Sequence, residues 1–283
     1  MSLLVQDIIQ MGEKQLTAAG IDNPRGDAEE IYCYLMHVDR SKFFMEWSEP
    51  AADRTCDQFF DLIARRAKHE PLQYIVGVQG FLDLAVKVRP GVLIPRLDTE
   101  TVAQSACELL NGKKGETVLE IGCGSGAIAL TLAKKAGAKV TAVDINPEAC
   151  ELTKENASLN GVKIDVLCGD MFEPIKKKRF NMIISNPPYI KSSVIDTLMP
   201  EVKDFEPVEA LDGGADGLDY YRRIAAEAPE HLKKGGMLVL EIGDDQAAQV
   251  ADILEATGQY GDVQVGKDLT GKDRAIMTKL AGK

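Results

Sequence analysis

Thr117-Val118-Leu119-Glu120-Ile121-Gly122-Cys123-Gly124-Ser125-Gly126-Ala127-Ile128-Ala129-Leu130-Thr131-Leu132-Ala133 decides the reading of this chain. An apolar run, a turn built of glycines and a second apolar run closed by two lysines and Gly137 predict strand, tight turn and helix. Glycines at the turn permit torsions that a Cβ would forbid and allow the backbone close to a ligand. A second strand, Lys139-Val-Thr-Ala-Val143, ends at Asp144. A carboxylate at that strand tip, about 20 residues past the glycine turn, is placed for a ribose diol. Gly122, Gly124 and Ala127 also satisfy the looser dinucleotide spacing G-x-G-x-x-A, so this stretch alone leaves NAD open.

Further on, the apolar run Phe180-Asn-Met-Ile-Ile184 predicts another strand of the same sheet, followed by Ser185-Asn186-Pro187-Pro188-Tyr189. Two consecutive prolines end a strand and stiffen the backbone beyond it. Asn186 is then held at the carboxyl edge of a parallel sheet, where open α/β folds place ligands. Read by itself, the same Asn could simply cap a turn.

Gly122-Cys-Gly-Ser-Gly126, Asp144 and Asn186-Pro-Pro-Tyr189 together resemble a class I S-adenosylmethionine-dependent methyltransferase that modifies planar nitrogen. Ser185-Asn-Pro-Pro-Tyr-Ile190, Leu93-Ile-Pro-Arg-Leu-Asp-Thr-Glu100 and Glu206-Pro-Val-Glu-Ala-Leu-Asp-Gly-Gly214 make the chain similar to the peptide-chain release factor glutamine N5-methyltransferases. The resemblance covers nearly the whole chain. It implies methylation of the side-chain amide in the Gly-Gly-Gln loop of release factors, with S-adenosylmethionine converted to S-adenosylhomocysteine and no metal. It also implies a Rossmann-like, mostly parallel α/β sheet with an antiparallel last strand, preceded by a small all-α domain and a β-hairpin linker.

The residues implied at the cofactor are Gly122, Cys123, Gly124, Ser125, Gly126, Asp144, Asp170, Met171, Asn186, Arg96 and Glu100. Asn186, Pro187, Pro188 and Tyr189 are implied at the substrate, with Asn186, Pro187 and Tyr189 catalytic. Asp170 and Met171, after the third strand Lys163-Ile-Asp-Val-Leu167, would meet the adenine. Read without the resemblance, Asp170 is a turn acid, and Arg96 is an arginine paired with the acids of its own first helical turn. The family typically carries Pro and Glu where this chain has Leu97 and Asp98, so the start of that helix is less preorganised here.

The division expected is residues 1–75 as a helical substrate-recognition domain, 76–92 as a hairpin linker and 93–283 as the methyltransferase domain. Helices are predicted from the apolar stripe of Leu4, Ile8 and Met11, from the one after Asn23-Pro24, and over residues 52–69. Phe43, Phe44 and Trp47 fall on an intervening loop, where Phe44 and Trp47 are expected as core plugs between short helices rather than as partner contacts. Phe81–Val88 alternates as a hairpin, and Lys191–Asp216 is an acidic, glycine-containing loop that in the family closes over the cleft.

The composition narrows the partners. With 33 basic and 44 acidic residues the formal charge is −11, which argues against a surface that grips nucleic acid. Six scattered cysteines form no C-x-x-C pair, and with three histidines no zinc site is indicated; a reduced, cytoplasmic setting is expected. Met1-Ser2-Leu3-Leu4 leads into an amphipathic helix with no basic leader, and no apolar run approaches membrane-spanning length. Two rivals remain at this level: a methyltransferase acting on the exocyclic amine of a nucleic-acid base, and a nucleotide-binding module without catalysis.

Overall fold

The computed structural model describes residues 3–110 and 115–282, so Met1 and Ser2, which the sequence places just before the first helix, lie outside it. The chain divides into two compact units, residues 3–78 with 199–205, and residues 79–198 with 206–282.

The first unit contains α1 (Val5–Ala18), α2 (Pro24–Met36), α3 (Arg40–Glu46), α4 (Asp53–Arg66) and α5 (Leu72–Val76). Asn23 caps α2 by accepting from the Gly26 N–H at 3.3 Å, and Pro24 opens it. The expected loop bearing Phe43, Phe44 and Trp47 is instead the short helix α3. Asp39 caps it, accepting from the Lys42 N–H at 2.8 Å, a local signal stronger than the broken apolar period suggests. Phe43 is buried and Trp47 packs beside the core, whereas Phe44 is 55% exposed and so is no core plug. α4 stops at Arg66 rather than running to residue 69, where His69 adopts the left-handed conformation at φ 66°. The Arg66 guanidinium is buried and paired with Asp27 at 2.7 Å and Glu201 at 3.1 Å.

The second unit begins with the rest of the hairpin β1 (Val78–Phe81) and β2 (Leu84–Lys87). It continues with α6 (Leu97–Leu110), β3 (Thr117–Ile121), α7 (Ala127–Lys135), β4 (Lys139–Asp144), α8 (Pro147–Leu159), β5 (Asp165–Cys168) and β6 (Phe180–Ser185). The short α9 (Pro200–Lys203) belongs to the first unit. After it come α10 (Asp219–His231), β7 (Leu232–Glu241), α11 (Ala247–Ala256), β8 (Gln264–Lys267) and β9 (Asp273–Lys279).

The sheet order is β5-β4-β3-β6-β7-β9-β8. The first five strands are parallel, and β9 is antiparallel to both its neighbours. The fold is therefore the expected Rossmann-like α/β sheet ending in antiparallel strands. β7 begins at Leu232, not after the Lys233-Lys-Gly-Gly236 stretch whose glycines suggest a helix stop; that stretch lies within the strand.

Successive residues of the central strands β3, β4, β6 and β7 point to opposite faces and bury both. Val118, Val140, Met182 and Val239 pack with α6 and α7, while Leu119, Val143, Ile183 and Leu238 pack with α10 and α11. β3 pairs with β4 on one side and β6 on the other, so the chain reverses its direction of travel across the sheet at the carboxyl end of β3. That is where a doubly wound sheet opens a crevice.

Candidate active site

A cavity of about 700 Å³ opens at that edge. Its walls include Gly122, Cys123, Gly124, Ser125, Asp144, Asp170, Met171, Asn186, Pro187, Pro188 and Arg96, drawn from five separate stretches of sequence. Three expected residues do not line it. Gly126 lies behind, with φ 84° at the start of α7, where a Cβ would meet the Thr153 side chain at 2.8 Å. Glu100 accepts from the backbone N–H of Leu82 at 2.8 Å, stabilising the hairpin turn. Tyr189 packs against the core cluster on the α10 face, where burial pushes its phenol up to about 12.

The glycine turn is shaped for a ligand. Gly122 and Gly124 hold φ of 70° and 54°, and a Cβ on either would have no neighbour closer than 3.9 Å. Side chains there would project into cavity space, so the backbone forms a cradle that a Cβ would fill. Asp144 closes the turn. Its Oδ2 accepts from the Gly124 N–H at 2.8 Å and its Oδ1 from the Asn146 N–H at 2.9 Å, and each oxygen keeps a further acceptor site for a ligand. Burial raises its carboxyl, while those N–H donors pull the other way.

Two buried α8 side chains hold the turn from behind, and no periodicity in the sequence marks them. Thr153 donates to the Gly124 carbonyl at 3.0 Å. Asn156 donates to the carbonyls of Ser125 at 2.9 Å and Lys87 at 3.0 Å, and accepts from the Lys87 N–H at 2.7 Å. Glu120, fully buried on the cavity wall, accepts from the Ala129 N–H at 2.8 Å, and burial raises its carboxyl well above the ordinary range.

Around the rim, two expected residues have partners that the sequence did not reveal. Asp170 accepts from Arg223 of α10 at 2.7 Å, and Arg223 itself lines the cavity. Arg96 pairs not with acids of its own helix but with the buried Glu206, whose other oxygen accepts from the Ile94 N–H at 3.3 Å. Asp98, at the position where the family carries Glu, pairs with the buried Arg274 at 3.1 Å.

The Asn-Pro-Pro-Tyr segment is fixed by residues 206–214. Ile190 donates to the Leu211 carbonyl at 3.0 Å, and Gly213 returns a bond to the Ile190 carbonyl at 2.8 Å. A Cβ on Gly213 would fall 2.8 Å from the Pro188 carbonyl oxygen, so only glycine admits this approach. Asn186 Nδ2 donates to Thr99 Oγ1 at 3.2 Å. One N–H of its amino group is so engaged, and its acceptor Oδ1 is open to a ligand at the cavity wall.

Such a site can bind a nucleoside at its glycine edge and offer acceptor oxygens to an N–H₂ group at its Asn-Pro edge. Among the described residues, no cluster of three His, Cys, Asp or Glu could hold a metal ion, and all six cysteines are free.

Residues 7–77 match the family model "PrmC N-terminal domain", and residues 89–201 match "Methyltransferase small domain". A release factor glutamine methyltransferase of Geobacter sulfurreducens is 39% identical over 273 residues, 96% of this chain and 95% of that protein. One of Moorella thermoacetica is 39% identical over 267 residues, 93% and 94% of the two chains. The crystal structure of a methyltransferase from Pyrococcus furiosus superimposes with a TM-score of 0.55 at 22% identity, covering 72% of this chain and 92% of that one, a likeness of fold.

Proposed function

Since the chain belongs to the release factor glutamine methyltransferase family, we propose that it methylates the side-chain amide nitrogen of the glutamine in the Gly-Gly-Gln loop of release factors, with Asn186 and Pro187 as its catalytic groups. It is an S-adenosylmethionine-dependent enzyme, and the glycine cradle, Asp144 and a cavity of about 700 Å³ fit that cofactor. When bound, the cofactor supplies a methyl group already activated by its sulfonium charge.

An amide nitrogen is a poor nucleophile because its lone pair is delocalised into the carbonyl. The protein therefore has to hold the nitrogen in line and stabilise the positive character it gains. The Asn186 Oδ1 and the Pro187 backbone carbonyl accept the two N–H bonds of the substrate amide. Proline adds no N–H of its own, so the local field is all acceptor. Those bonds strengthen as the nitrogen becomes positive, which is the condition for lowering the barrier rather than merely tightening binding. No strong base is required, since the proton becomes acidic once the methyl group has transferred. Pro188 and Tyr189 support this backbone, Tyr189 through its carbonyl, which accepts from Gln246 at 3.0 Å.

Gly122–Ser125 and Asp144 hold the nucleoside and ribose. Asp170 and Met171 meet the adenine, and Arg96 holds the rim through Glu206. Residues 1–75 meet the release factor, 76–92 form the linker and 93–283 carry the chemistry, a division supported by the separate match at residues 7–77. Among the described residues no helix is long and apolar enough to cross a membrane. A cytoplasmic setting belongs to the same proposal and is supported by the six free cysteines.

The observation that carries the catalytic reading is the Asn186–Thr99 bond, which leaves an amide oxygen at the cavity wall. Incubation with labelled cofactor and a Gly-Gly-Gln release-factor domain, followed by peptide mapping, tests the reaction. One methyl group on the glutamine nitrogen is expected. Label on RNA or DNA with none on the protein would transfer the chain to the nucleic-acid reading, and cofactor binding with no methyl transfer at all would make it a binding module.

A further inference from the structure

Gln246, the residue that caps α11, is buried without lining the cavity, and its amide reaches three separate stretches of backbone. Nε2 donates to the carbonyl of Tyr189 at 3.0 Å and to that of Gly217 at 3.3 Å, while Oε1 accepts from the Gly243 N–H at 2.9 Å. The hydroxyl of the buried Tyr221 lies 3.5 Å from the same Oε1 and donates more closely to the Glu241 carbonyl at the end of β7, at 2.8 Å. Burying an amide is costly unless its bonds are made, and here both its ends are engaged.

One of those stretches carries the reaction. Tyr189 follows directly on Asn186-Pro187-Pro188, where few torsions are free. The proline rings lock φ at residues 187 and 188, and a residue that precedes proline is confined to extended ψ, which applies to Asn186 and Pro187. A shift of the Tyr189 carbonyl is therefore passed on to the Pro187 carbonyl and to Asn186.

The strand end of this segment is fixed separately, since Ser185 Oγ donates to the Ile121 carbonyl at 2.7 Å. Beyond Tyr189, Ile190 rests on Leu211 and Gly213, which belong to the same loop as Gly217. A Cβ on Gly217 would fall 2.4 Å from the Tyr189 carbonyl oxygen, so loop and segment touch backbone to backbone. Gln246 grips both at that contact, and through Gly243 it fastens them to the turn after β7.

We propose that Gln246 is a positioning residue for methyl transfer: its amide sets where the Pro187 carbonyl and Asn186 stand relative to the sheet, and so how these acceptors meet the reacting nitrogen. The proposal rests on the reading of Asn186 and Pro187 given above. It supplies a side-chain handle on Pro187, whose carbonyl no substitution removes.

The test uses the full chain, labelled cofactor and a Gly-Gly-Gln release-factor domain. Turnover is counted per cofactor-binding molecule, so that a partly folded variant is still read. Gln246→Met keeps the outline and removes the amide's bonds. Its kcat should fall about 10-fold, because small misplacements of reacting groups are costly, while cofactor affinity and the release-factor KM stay within about 3-fold. Gln246→Glu keeps an oxygen for Gly243 but leaves at most one proton for two carbonyls, and should lower kcat in the same direction. Unchanged kcat in these variants, a parallel loss of cofactor affinity or a change confined to KM would overturn the positioning role. Asn186→Ala, measured beside them, separates the two readings. If it keeps wild-type kcat, the catalytic reading falls and takes the role of Gln246 with it. An impaired Asn186→Ala beside unimpaired Gln246 variants condemns the positioning role alone.

Discussion

At the β3–β4 edge of the cavity, the parts lie close in sequence: Asp144 reaches back 20 residues to the N–H of Gly124 and two residues on to Asn146. At the β6–β7 edge, Asn186 meets Thr99 across 87 residues. The first edge is made mostly of backbone, held open by glycine torsions. The second is made of side chains whose orientation depends on separate elements docking together. A backbone cradle binds in much the same way in the ground state and the transition state, whereas an oriented acceptor acts mainly as charge develops. The two edges should therefore fail differently, one in affinity and the other in turnover.

Asn186→Ala gives the sharpest contrast and the largest effect. Turnover should fall at least about 100-fold while cofactor affinity changes less than about 3-fold. Single-turnover methyl transfer beside a melting curve checks it, and near-wild-type turnover in the folded variant would erase the distinction between the edges. Asn186→Asp keeps an acceptor but adds a charge in a site for a neutral amide, and should also remain well below wild type.

Removing the Asp144 carboxylate should act on the other edge. Cofactor affinity should weaken by about 1–3 kcal/mol, the range for hydrogen bonds to a charged group. Calorimetry reads this directly, and the same titration with NAD should show the weaker binding. Tighter NAD binding would reassign the glycine edge.

A third measurement probes the cost of the buried carboxylate at the reaction edge. Burial pushes Glu241 up to about 7, against its ordinary 4.5. Between those values the native state holds a proton that the unfolded chain has released, so stability from this group is greatest below the unfolded value and falls as pH rises. From about pH 6 to about pH 8 the loss should be roughly 1 kcal/mol. Denaturation curves of wild type and Glu241→Gln should converge or cross along that interval by this amount. A constant offset between them would place the Glu241 titration elsewhere.

The smallest effect is expected at the rim. Arg223 holds Asp170 at 2.7 Å with both side chains partly exposed, so Arg223→Gln should change cofactor affinity by about 1 kcal/mol at most and less at high salt. A loss as large as that of the Asp144 variant would show that the adenine end, not the ribose end, dominates the cradle.

Much of this molecule is legible from the chain alone because its signals are local. Gly122 and Gly124 announce positive φ, the apolar runs of β3, β4 and β6 announce a sheet buried on both faces, and two prolines fix where Asn186 stops the strand. Helix α3 reads as a loop in the sequence because its signal is one capping residue, Asp39, under a stretch too short for periodicity to register. Glu100 and Tyr189 sit in motifs beside the cleft yet face the hairpin and the core, since adjacency in sequence does not set the direction in which a side chain points.

The sequence by itself determined the sheet, the glycine cradle, Asp144 and the strand-ending Asn186, all of which arise from torsional limits and apolar period within short windows. Only the tertiary structure decided that Arg96 belongs to Glu206, Asp170 to Arg223, and Asn186 to Thr99. A hydrogen bond is satisfied by any suitable donor within about 3 Å, and the chain does not record which distant residue folding will bring there.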